Sequence, residues 1–310
     1  MKNQFLFSAF TFALSASSIH QKTLCSGFAP QNDRYIPVSM FQSETTGMTE
    51  EQFNSVLDKI QTTYAPLIAE RGGTLQINRL WTDGTVNASA EQIGQSWVLN
   101  MYGGLARHEL MTADGFLLVA CHETGHHLGG KPKYSSYFGG SNWASVEGQS
   151  DYFGTTKCMK RIFSSMNDEE LSQFKSNDPL AKSSCSQMYT ETRDQLICER
   201  AALAGKVLGN VLATLGGSPE VRLETPTDAI YNGIYQNHPK AQCRLDTYFQ
   251  GALCTIPFAQ DFSNTDQLTG ACMKETGFEK GLRPKCWFNP ASAFNNLQIE
   301  SSVKSKEIYY

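Results

Sequence analysis

The segment from Asp114 to Leu128 constrains the chain most, because it reads as one helix carrying His122-Glu123-Thr124-Gly125-His126. Two histidines four apart stack on the same helix face, one turn above the other, so both rings can reach one ion. Glu123 lies beside that face. This is the HExxH arrangement, in which two imidazoles hold zinc and the carboxylate serves as general base toward a metal-bound water. The pattern is short, so its meaning depends on what surrounds it.

The chain has 310 residues and a net charge of −4, with no long basic run, which argues against nucleic acid or an anionic membrane as partner. Lys2 followed by the largely apolar Phe5–Ala16 reads as an export signal, residues 1–18, cut after Ser17 or Ser18. No later run approaches the roughly 18 apolar residues a bilayer requires. A soluble exported protein is expected, in a periplasm or outside the cell. Nine cysteines agree with an oxidising compartment. Cys121, inside the apolar part of the HExxH helix, is read as a buried free thiol, with most of the others paired.

Taken in order, Thr49-Glu50-Glu51-Gln52 is a capping box opening a helix with apolar positions at Phe53, Val56, Leu57, Ile60, Tyr64 and Leu67. Pro66 is expected to kink it and Gly72-Gly73 to end it. Thr74–Trp81 reads as a strand, Thr82-Asp83-Gly84 as a tight turn and Thr85–Ala88 as a short return strand. Ser96–Tyr102 is a further strand, either an edge that could bind an extended peptide by strand addition or an interior strand.

Beyond His126, Gly129 falls where HExxHxxGxxH has its glycine, but Pro132 stands at the third histidine and cannot ligate zinc. A third ligand must come from elsewhere. Ser141 is read as the cap of a helix running to about Phe163, on which Glu147 and Asp151 share a face. The twenty residues between His126 and Glu147 allow a loop and an antiparallel return. Glu147 would then complete the metal shell, and Asp151 would accept a hydrogen bond from a ligating histidine and fix its tautomer. His108 and His127 are read as incidental; His127 points roughly 100 degrees away from His126 around the helix.

At this point the chain resembles the gluzincin metallopeptidases that include HtpX and the CAAX prenyl endopeptidases. Asn87-Ala88 is similar to that family's Asn-Ala motif before the edge strand. Glu147-Gly148-Gln149-Ser150-Asp151 matches its ExxxD motif, and His238-Pro239 with Arg244 matches its HPxxxxR signature. The resemblance covers about Thr85 to Leu253. It implies a zincin-like α+β fold in which a small mixed sheet with an edge strand packs on the HExxH helix, followed by a mostly helical, disulfide-bearing half. It also implies one zinc ion on His122, His126 and Glu147. Glu123 would be the base, His238 a donor to the substrate's developing oxyanion, and Arg244 a residue that orders the site. The family's membrane helices are absent, and the cysteine-rich stretch from Cys254 to Cys286 has no counterpart in it.

Ser164–Ser184 reads as a polar surface loop and Arg193–Leu215 as a long helix. Arg222–Tyr235 reads as irregular, residues 254–310 as an irregular cysteine-containing extension packed on a domain of residues 19–253, and Lys304–Tyr310 as a frayed end. The expected activity is a zinc-dependent endopeptidase acting on exported polypeptides. A zinc hydrolase of a cell-wall amide and a non-catalytic zincin-like binding protein are the alternatives. Sequence does not choose an oligomeric state.

Overall fold

A computed structural model describes residues 27–40, 47–135, 141–174 and 176–289. The export signal, Cys25 and the chain end from residue 290 lie outside these. The fold is mixed α+β with two small sheets. No helix among the described residues is long and apolar enough to cross a membrane.

Helix α1 (Glu50–Ala69) opens on the expected box: Thr49 accepts from the Gln52 amide and Gln52 accepts from the Thr49 amide. It continues through Pro66 and buries Phe53, Val56, Leu57, Ile60 and Tyr64, with Ile68 taking the deeper place expected of Leu67. Strand β1 (Thr74–Leu80) follows.

The expected return strand at Thr85–Ala88 does not form. Asp83 and Trp81 are instead drawn onto Arg107, whose guanidinium donates to both carbonyls and to that of Ile36. The chain therefore crosses over before β2 (Ala88–Ile93), which forms a hairpin with β3 (Ser96–Tyr102). Strand β1 runs parallel to β3, and the order β1-β3-β2 makes Ser96–Tyr102 the interior strand. The edge beginning directly after Asn87 is β2.

A short helix α2 (Gly103–Ala106) leads to α3 (Ala113–Leu128), where the Thr112 hydroxyl accepts from the Gly115 amide. Nearly every side chain of α3 is buried, so the helix runs through the middle of the core and packs against α1, β2 and later helices. Strands β4 (Lys133–Ser135) and β5 (Ser141–Ser145) pair antiparallel. Ser141 thus begins a strand rather than capping a helix, because Lys133 pairs with Ser145 and its ammonium donates to the Trp143 carbonyl.

The helix starts only at Glu147. It comprises α4 (Glu147–Phe153), one wider turn at Gly154–Cys158, and α5 (Met159–Ser164). Val146, Phe153, Met159 and Ile162 along it are buried, and Trp143, on β5, is half-buried.

The polar stretch 164–184 is not a loop. It holds α6 (Asp168–Ser172), opened by an Asn167–Glu170 capping box, and α7 (Pro179–Met188), capped by Asp178. Polar composition conceals both caps. Helix α8 (Thr192–Leu215) matches its expectation to within a residue, and α9 (Ala241–Leu253) carries Arg244.

Four disulfides join Cys121 to Cys158, Cys185 to Cys198, Cys243 to Cys286 and Cys254 to Cys272, which is consistent with an oxidising compartment. Cys121 is therefore not a free thiol: the wider turn after α4 crosses α3 and brings Cys158 to it. Residues 254–289 are irregular and lie against α4 and α9. Tyr152 donates to the Gly281 carbonyl, Arg283 to Gln149, and the Trp287 indole to Thr247.

Candidate metal centre

The four-residue spacing on α3 points His122 and His126 the same way, and the first residue of α4, Glu147, faces them. Ligand atoms of His122, His126 and Glu147 lie within 4.8 Å of one another, and these residues, with Glu123, are fully buried at 0 % exposure. They could hold a metal ion, and the described residues contain no second such group. Helices α3 and α4 come this close because Gly125 leaves room; a Cβ there would stand 2.9 Å from the Ser150 Cα.

The donor set fits a cation. His122 Nε2 and Glu147 Oε2 are buried, lack a hydrogen-bond partner and stand 3.2 Å apart, while His126 Nε2 is 3.7 Å from Glu147 Oε1. Two buried polar atoms facing each other without a well-formed hydrogen bond are costly unless a proton or a metal cation joins them.

Contacts behind the rings aim them. His126 Nδ1 lies 2.8 Å from the Ser145 carbonyl, which can only accept, so Nδ1 carries the proton and Nε2 turns its lone pair to the cluster. Ser150 Oγ is 3.1 Å from the same Nδ1. His122 Nδ1 meets Asp151 Oδ1 at 2.7 Å. Asp151 in turn accepts from Arg244 Nε and Nη2, at 2.8 and 2.6 Å, and from the Tyr248 hydroxyl at 2.7 Å. Arg244 therefore stands one residue back from the ligand atoms, locking the carboxylate that orients His122.

Protonation follows from these surroundings. Burial lowers His126 to about 4, more than Glu147 restores. Burial also pulls His122 down, but the Asp151 carboxylate outweighs it and leaves the group at about 9, so a cation at Nε2 would displace a proton. For Glu147, burial works upward, yet His238, His126 and His122 together hold the carboxyl well below the usual range. Asp151 is also lowered, burial being outweighed by Arg244 and then His122. Burial pushes Glu123 up to about 8, with His122 opposing.

His238 arrives on the irregular stretch before α9, with Nε2 3.6 Å from Glu147 Oε2 and 2.7 Å from the Gly27 carbonyl oxygen. All seven residues singled out from the sequence (His122, Glu123, His126, Glu147, Asp151, His238 and Arg244) are thus gathered in one place. His127 is not: its ring is stacked between Trp97 and Trp143, 5.2 and 4.7 Å between centroids. His108 Nδ1 accepts from the Leu110 amide, away from the cluster.

Sequence reasoning missed Tyr134, whose hydroxyl donates to Glu147 Oε1 at 2.8 Å, and Tyr248. Tyr248 had a signal, standing four residues after Arg244 on the same face of α9. Tyr134 had none, since β4 reaches the glutamate only through the fold. Phe28 also meets the site, its ring edge-on to His122 with centroids 5.5 Å apart. No family model, curated protein or solved structure matches this chain.

Proposed function

We propose that the chain is a zinc-dependent endopeptidase with a zincin-like fold, hydrolysing peptide bonds of exported polypeptides. The observation that carries this reading is the buried His122–His126–Glu147 cluster with a carboxylate, Glu123, on the same helix beside it. His122, His126 and Glu147 would hold the ion. When bound, zinc polarises a peptide carbonyl and lowers the pKa of a water to about 7.

The chain's own groups supply the rest. Glu123, as a carboxylate, can take a proton from the attacking water and return it to the leaving amine. Burial raises the group to about 8, and a cation held beside it would work against that shift and favour the ionised form. His238 Nε2 donates toward a carbonyl oxygen, as it does to Gly27, and can strengthen that bond as charge develops on the oxygen. Asp151 and the Ser145 carbonyl keep the two imidazoles in the tautomer that leaves Nε2 open to the ion. The test is zinc analysis of the purified chain together with casein cleavage with and without chelator. Cleavage that a chelator stops and zinc restores is expected; muropeptide hydrolysis without casein cleavage would move the assignment to a cell-wall amide.

A further inference from the structure

Residues Gly27–Ala29 lie across the candidate metal centre in an unusual way for a leading segment of chain. The Phe28 amide donates to the Ala88 carbonyl on edge strand β2 at 2.8 Å. Asn87 clasps the next residue, accepting from the Ala29 amide at 3.0 Å and donating to its carbonyl at 3.2 Å. The Gly27 carbonyl oxygen accepts from His238, and the Phe28 carbonyl accepts from Arg244 Nη1 at 2.5 Å. The Phe28 side chain is fully buried against His122, with the Arg244 guanidinium 4.5 Å from its ring centroid.

From these contacts we infer that Gly27–Ala29 is an intramolecular occupant of the peptide-binding cleft, laid on β2 as a substrate would be and keeping the site closed. The inference rests on the endopeptidase reading. Strand addition to a sheet edge supplies main-chain bonds, and pockets for alternate side chains supply selectivity. Here the backbone of the segment bonds to the Ala88 carbonyl and the Asn87 side chain, and its Phe28 ring is fully buried.

The carbonyl preceding that ring is the one His238 holds, 3.6 Å on from Glu147 Oε2 to His238 Nε2. Gly27 itself fits only without a side chain: φ is +113°, and a Cβ would stand 2.8 Å from the Asn87 amide atoms. The cleft therefore takes an extended peptide with glycine followed by a large aromatic residue. Such a peptide offered from outside must compete with a copy already tethered in place.

The experiment uses the full chain with chelator present, so that binding is read without turnover. Fluorescein-labelled Ser-Gly-Phe-Ala-Pro is titrated by anisotropy against the unaltered chain and the Phe28→Ser and Gly27→Ala variants, with circular dichroism to confirm folding. A site open only a small fraction of the time binds a competitor more weakly by that fraction. The variants are expected to bind the peptide at least about ten-fold more tightly than the unaltered chain. A peptide with glycine in place of phenylalanine should not bind.

Equal binding by the unaltered chain and a folded variant overturns the inference and leaves an N-terminal anchor of structural use only. If Phe28→Ser does not fold, Gly27→Ala decides. Hydrogen exchange of the unaltered chain gives an independent reading: slow Phe28 and Ala29 amides that speed up with excess peptide are expected, and amides unaffected by the peptide contradict it. Casein cleavage separates the two claims. Strong cleavage by the unaltered chain, with no gain in the variants, removes the inference and keeps the endopeptidase. Peptide binding without any zinc-dependent cleavage keeps the occupied cleft and removes the endopeptidase.

Discussion

Helices α3 and α4 face each other across the candidate metal centre, yet they are held there by different means. Helix α3 carries two of the three candidate ligand residues and the proposed base on its own surface, is capped by Thr112, and is buried almost all round. Its geometry is local: a four-residue spacing is enough to align the rings. Helix α4 brings Glu147 at its very first residue, and Val146 before it makes no side-chain cap.

What fixes α4 comes from distant chain. Gln149 donates to the Gly129 carbonyl, Arg283 donates to Gln149, and Arg244 with Tyr248 pins Asp151. The Trp287 ring lies so close to Gly148 that a Cβ would stand 2.2 Å from Cδ2. A candidate metal site can thus be half specified by one helix and half by hydrogen bonds reaching as far as 134 positions along the chain.

The largest effect expected belongs to α3. Glu123→Gln should lower kcat/KM on casein by about 10²–10⁴-fold while zinc content stays unchanged, because the residue is the proposed base and not a ligand. Undiminished turnover removes Glu123 from that role.

On α4, Asp151→Asn should weaken zinc about 10–100-fold in a competitive chelator titration, since His122 loses its orienting anion and Arg244 its partner. If the affinity does not change, His122 is aligned by α3 alone and the contrast between the helices fails. Gly148→Ala sharpens the same contrast from the other side. Its added methyl meets Trp287 and should cost about 1–3 kcal/mol in urea unfolding, with a looser metal site as well. Thr49→Ala, at the start of α1 and remote from the metal, should cost about 1 kcal/mol and leave zinc affinity alone.

The same division governs what could be read from the sequence. Helix α1 with its capping box, the HExxH helix and α8 were legible because period and caps are written in adjacent residues. The hairpin expected at Thr82-Asp83-Gly84 fails because Arg107 captures the carbonyls of Trp81 and Asp83, an interaction with no local trace. Ser141 was misplaced for a related reason, as strand pairing with Lys133–Ser135 outweighs its value as a cap. Cys121 looked like a buried apolar thiol, and only the path of the turn after α4 reveals Cys158 beside it. Asn167 and Asp178 were different, since both caps stood in the sequence within a stretch whose polarity suggested a loop. At the site, the candidate ligand residues and Asp151 follow from spacing, whereas Tyr134 and Phe28 come from segments that only the fold brings near.

The most direct measurement is the metal content of the full chain, purified without chelator, beside Glu147→Ala. Zinc bound in stoichiometric amount by the unaltered chain and lost from the variant is the predicted result. Zinc retained in full by Glu147→Ala, or none taken up by the unaltered chain at saturating zinc, would contradict a centre shared between the two helices.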